Sequence, residues 1–125
     1  MRILAPISLG ELIDKITILE LKQEYITDEL KLENINNELT ELNAILKTLL
    51  IQPFPQSQRE ALKAVNRDLW HIENFKRECE GNGRFDRAFI EAGREVYLKN
   101  DLRAKIKREI NTLTGSAIVE EKSYK

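Results

Sequence analysis

Over the first 50 residues, one set of positions recurs at alternating intervals of 3 and 4: Ile18, Leu21, Tyr25, Asp28, Leu32, Ile35, Leu39, Leu42, Leu46 and Leu49. That alternation is the a/d seam of a heptad pattern, with Asp28 as its one polar member. The seam keeps phase through Asn34, Asn36 and Asn37. It therefore predicts a single helix over 9–50, about 60 Å long at 1.5 Å per residue. Ser8 and Glu11 have the spacing of a capping box at its start. Residues 1–8, which include Pro6, read as an extended lead-in. The first half of the helix carries a second stripe, Leu9, Leu12, Ile16, Leu19, Ile26 and Leu30. A helix apolar on two faces is packed on two sides. From Leu32 onward the pattern is one-sided.

Pro53 and Pro55 forbid helical continuation and place a loop at 51–57. Ser57 and Glu60 form a second capping-box spacing that opens a helix over 58–80. Its inner face is Leu62, Val65, Leu69, Ile72 and Phe75, and Gly81-Asn82-Gly83 ends it. A third helical region over 85–113 follows Phe85, Phe89, Ala92, Val96, Lys99, Arg103, Ile106, Ile110 and Leu113. Asn100-Asp101 offers a cap inside it, which leaves a break open there. Gly115 suits a C-cap, and 116–125 form a tail.

These elements predict an all-α fold in a single domain, 1–125. A long first helix is packed by heptad seams against two further helices in a coiled-coil-like bundle. The second helix, roughly 35 Å long, would cover only the far half of the first. The third helix can cover one face of the near half. A second copy would cover the other face, so the pattern predicts a homodimer.

Composition narrows the classes. Apolar residues are 42% and charged residues 33%, which fits neither a membrane-spanning nor a disordered chain. No apolar run approaches the roughly 20 residues that span a bilayer. Cys79 is the only cysteine, so there is no intrachain disulfide, and a cytoplasmic location is expected. The net charge of -1 is unevenly spread: residues 1–50 carry 5 bases and 9 acids, whereas 51–125 carry 15 and 12. The halves would attract each other within one fold or across a dimer. No nucleic-acid partner is expected, because the basic cluster near residue 105 is short and lacks interleaved aromatics.

Lys99 and Arg103 sit one turn apart on the apolar stripe of the third helix. One reading makes them an anion site for a phosphate or carboxylate, with Lys15 and Lys22 as further bases. The other pairs Arg103 with Asp28 or another first-helix acid and lets Lys99 lie along the apolar surface. Asp28 reads as a polar register position in the seam. His71 is the only histidine, so no metal ligand set and no cofactor is expected. Cys79 lies near a helix C-terminus, where the dipole disfavours thiolate, and no catalytic set emerges from spacing. Trp70, Phe75, Phe85 and Phe89 are expected in the core.

The run Pro6-Ile7-Ser8-Leu9-Gly10-Glu11-Leu12-Ile13-Asp14-Lys15-Ile16-Thr17-Ile18-Leu19-Glu20 resembles the opening signature of a family of small bacterial and phage proteins classed as a domain of unknown function. Asn66 to Trp70, Tyr97 to Ala104 and Glu120 to Tyr124 are similar to its other blocks. The resemblance covers nearly the whole chain and implies no activity or site residue. The expected function is a non-enzymatic helical interaction or scaffold module that self-associates or binds a protein. The alternative is an enzyme or metabolite binder acting on an anion, with an architecture similar to helical chorismate mutase, including a likeness around Leu12 to Leu21.

Overall fold

The computed structural model describes residues 1–116, Ile118 and Glu121. Four helices follow in order: α1 (Leu9–Tyr25), α2 (Glu29–Thr48), α3 (Gln56–Gly81) and α4 (Arg87–Thr114). They pack on one another as an all-α bundle. Ser8 caps α1, its hydroxyl accepting from the Glu11 N–H at 3.1 Å.

The predicted 9–50 helix is two helices. At the end of α1 the Ile26 N–H still donates to the Lys22 carbonyl at 2.9 Å, but Ile26 itself has turned extended, with ψ 132°. Asp28 is also extended, and its carboxylate accepts from the Lys31 N–H at 3.0 Å. Asp28 is thus the N-cap of α2 and an exposed one, not a polar member of a buried seam. A carboxylate that captures a free N–H at a helix start also favours the positive end of the helix dipole.

The break changes what covers α1. After it the chain folds back and lays α2 along α1, where Gln23 donates to Asn36 at 2.9 Å. Leu12, Ile16 and Leu19 share the side of α1 that carries Gln23 and are buried. The α2 residues Ile35, Leu39 and Leu46 are buried in the same core cluster. The opposite side of α1 docks onto α3 and α4. Both faces are covered within one chain, so the packing argument for a second copy no longer holds.

Two further starts differ from the capping pattern. Helix α3 begins at Gln56 behind Pro55, without a side-chain cap, and Ser57 lies inside it. Proline suits a helix start, where an N–H has no partner in any case. Helix α4 is capped by Asp86, which accepts from the Phe89 N–H at 3.3 Å, and it runs through Asn100-Asp101 unbroken. Gly115, with φ 65°, closes it in the left-handed conformation that glycine takes freely. Leu62, Val65 and Leu69 of α3 meet Ile106 and Ile110 of α4 in the core, whereas Phe85 is 55% exposed. Most of the predicted tail lies outside the described residues.

Replacing Asp28 with alanine should cost about 1 kcal/mol by loss of the cap. Because α2 makes no close backbone approach to α3 or α4 among the described residues, the loss should show locally. Amide exchange at the start of α2, including Lys31, should speed up well before exchange in α3.

Candidate functional site

Helix α4 presents one polar side chain per turn toward its neighbours: Lys99, Arg103, Lys107 and Asn111. Spacing of 4 sets them in a row on one face. Each meets a partner from another helix. Lys99 Nζ lies 3.0 Å from Asp68 of α3. Arg103 Nη2 is 3.2 Å from Asp14 Oδ2 on α1. Lys107 Nζ is 2.5 Å from Glu11 and 4.0 Å from Asp14. Asn111 Oδ1 accepts from the Gly10 N–H at 2.7 Å, which satisfies one of the free donors of the α1 N-terminus.

Asp14 is the centre of this ladder and is 1% exposed. Its Oδ1 accepts from Asn66 Nδ2 at 2.8 Å. The same amide nitrogen donates to Thr17 Oγ1 at 3.0 Å, and Thr17 donates to the Asp14 carbonyl at 2.8 Å. Three helices therefore meet through one carboxylate. Among the described residues, every buried side-chain nitrogen and oxygen has a partner. Gly10 lets the helices approach: a Cβ there would lie 2.6 Å from the Lys107 carbonyl oxygen. Burial pushes the Glu11 carboxyl up, but the hydrogen bond and charge of Lys107, with Lys15 behind them, outweigh it and hold the group below its ordinary value.

A second, solvent-facing row joins α1 to α3. Glu20 faces Arg59 at 3.5 Å and Lys63 at 3.8 Å, and Glu24 faces Lys63 at 3.6 Å and Arg67 at 2.6 Å. Arg67 also donates to the Tyr25 hydroxyl at 2.7 Å, and Tyr25 stacks on Trp70 with ring centroids 5.3 Å apart. The hydrogen bond from Arg67 is the main cause that holds the Glu24 carboxyl below its ordinary range. Exposed pairs of this kind contribute little each and mainly fix orientation. With the buried ladder, they turn the acidic first half and basic second half into contacts inside one fold.

The four bases expected at an anion site do not converge on one point. Lys99 and Arg103 neighbour each other, but each holds an acid of its own. Lys15 pairs along α1 with Glu11 at 3.5 Å. Lys22 makes no ion pair among the described residues. Of the two readings for Arg103, the pairing with a first-helix acid is the geometry present, and the acid is Asp14 rather than Asp28. Pattern singles out Glu11 only as a capping-box residue, and it does not single out Asp14, Thr17, Asn66, Lys107 or Asn111. The usable signal was the four-residue spacing from Lys99 to Asn111, which continues past the two bases that periodicity picked.

The opening run, Ser8 to Thr17, thus supplies a cap, a close approach and most of the α1 half of the buried network. The family model for a "Family of unknown function (DUF6165)" matches residues 3–125. The chain belongs to that family. No curated protein and no solved structure matches it. In this chain that opening run docks α1 onto the α3–α4 pair.

The remaining surface is apolar in places. On α4, Ile90, Tyr97, Leu98 and Leu102 are 58%, 54%, 48% and 41% exposed. At the other end of the bundle, Leu46, Leu50, Ile51 and Phe54 line an open groove of about 340 Å³. Cys79 is buried, and among the described residues no helix is long and apolar enough to cross a membrane.

Arg103→Met should destabilise the fold by about 2 kcal/mol, below the ~3–5 kcal/mol of a fully buried pair, because Asp14 keeps Asn66 and Lys107. Chemical denaturation of the variant measures this directly. The depressed Glu11 carboxyl contributes stability that is complete above its ordinary value of 4.5 and is lost as pH falls below it. Glu11→Gln should therefore flatten the acid limb of the thermal-midpoint curve, with the largest difference from the parent near neutral pH.

Proposed function

We propose that this member of the DUF6165 family is a non-enzymatic helical interaction module that self-associates, working in the cytoplasm of a bacterial or phage-infected cell. The observation that carries the reading is the outward side of α4. Large apolar side chains stand more than 40% exposed there, on a helix whose inward side is locked by the core and the polar ladder. Rigid helices with exposed apolar side chains are surfaces for partners, since that surface gains free energy when another body removes it from water. The ladder supplies rigidity: it fixes the second half of α4, from Lys99 to Asn111, against α1 and α3.

The rival reading is a metabolite-binding or enzymatic bundle with the architecture of helical chorismate mutase. It needs an anion to displace Asp68 and Asp14 from Lys99 and Arg103. The Asp14 carboxylate is buried and hydrogen-bonded to Asn66, so displacing it would open the helix junction itself. The interaction reading needs no such rearrangement.

Light scattering over a concentration series tests it. The expected result is a mass rising from the 14.6 kDa of one chain toward twice that value. A constant single-chain mass up to hundreds of micromolar would remove self-association. A saturable thermal shift with phosphate or dicarboxylates, lost in Arg103→Met, would favour the rival.

A further inference from the structure

About two turns of the exposed side of α4 have an unusual composition. Ile90, Gly93, Arg94 and Tyr97 lie together on it at helical spacing, with Leu98 at the flank. Glycine in a helix interior weakens the helix relative to alanine, because it loses the most backbone freedom on folding. At Gly10 that cost has a visible return, since α4 passes where the Cβ would be. At Gly93 there is no such return among the described residues: an added Cβ would meet nothing within 4 Å. A gap between two large apolar side chains, on a surface open to solvent, lets a second backbone come close.

We propose that α4 crosses α4 of a second copy here, antiparallel, about a twofold axis between residues 93 and 94. This rests on the self-association reading above and names the face that performs it. The argument for a second copy is that the surface complements itself. Under that axis Ile90 and Tyr97 are equidistant from the centre on opposite sides, so Ile90 of each copy meets Tyr97 of the other. Arg94 of each copy comes within a turn of the partner's Glu91. Glu91 is half-exposed and held on its own helix only at 3.6 Å by Arg87 and 4.0 Å by Arg94, which leaves it room for a closer base. Apolar meets apolar and base meets acid, twice each, as an isologous interface requires. Asp86 and Asp101 would oppose each other if the helices were aligned, and they separate when the helices cross at an angle. Such crossings are the common mode for helix pairs, and small residues at the centre shorten the distance.

Sedimentation equilibrium of the full chain and of surface variants tests the face. Glu91→Arg and Arg94→Glu each set like charges across the axis, and each should weaken the dimer at least about tenfold. An equimolar mixture of the two variants should recover the dimer, because every contact then pairs a base with an acid. Gly93→Leu should raise the thermal midpoint of the isolated chain, as leucine favours a helix, and yet block the crossing. Circular dichroism checks that the fold is intact in all of them. Parental dimerisation in the charge variants, or a mixture that stays monomeric, overturns this face and leaves self-association through another surface standing. A parent that is monomeric throughout overturns both.

Discussion

Burying the Asp14 carboxylate takes a full charge out of water, and such a group survives in a protein interior only when it is hydrogen-bonded and opposed by positive charge. The rest of the architecture answers that requirement. Asn66 from α3 and Arg103 and Lys107 from α4 have to arrive at one point on α1, which sets how the three helices cross. Gly10 then allows the approach, because α4 passes within the volume a side chain would fill. A purely apolar junction would bury its surface equally well in several neighbouring registers. A carboxylate with partners on two other helices accepts far fewer, since a misplaced register leaves a charge unpaired.

The other decisive feature is local. Three residues, Ile26 to Asp28, turn a would-be 42-residue helix into a hairpin. The hydrophobic phase is the same on both sides of the turn, so the seam reads as continuous in one dimension. In space the two halves of the seam serve different ends. The α2 half packs back on α1, and the α1 half meets α3 and α4. The two-faced pattern of α1 correctly signalled packing on two sides. It did not say that both partners belong to the same chain.

The ladder and the exposed α4 face divide the work between stability and recognition. Charged residues that catch the eye in the sequence, Lys99 and Arg103, hold the fold together. Apolar residues off the periodic stripe of that helix, Tyr97 and Leu98 among them, stand in solvent. That inversion follows from α4 packing with a polar row inward, which leaves an apolar row outward.

The sequence by itself determined the helical class, the loop at Pro53 and Pro55, the stop at Gly81-Asn82-Gly83, the Ser8 cap and the Gly115 C-cap. Each is a short-range effect of backbone geometry or of a side chain bonding to its own turn. It also determined that Leu62, Val65 and Leu69 face inward along α3, through 3.6-residue periodicity. Only the tertiary structure decided that Asp28 caps rather than registers, because an N-cap contributes only about 1 kcal/mol and the packing of α2 on α1 adds to it. Only the tertiary structure chose Asp14 as the partner of Arg103. The pairing spans residues 14 and 103, and no local pattern encodes which of several acids on α1 comes to face α4.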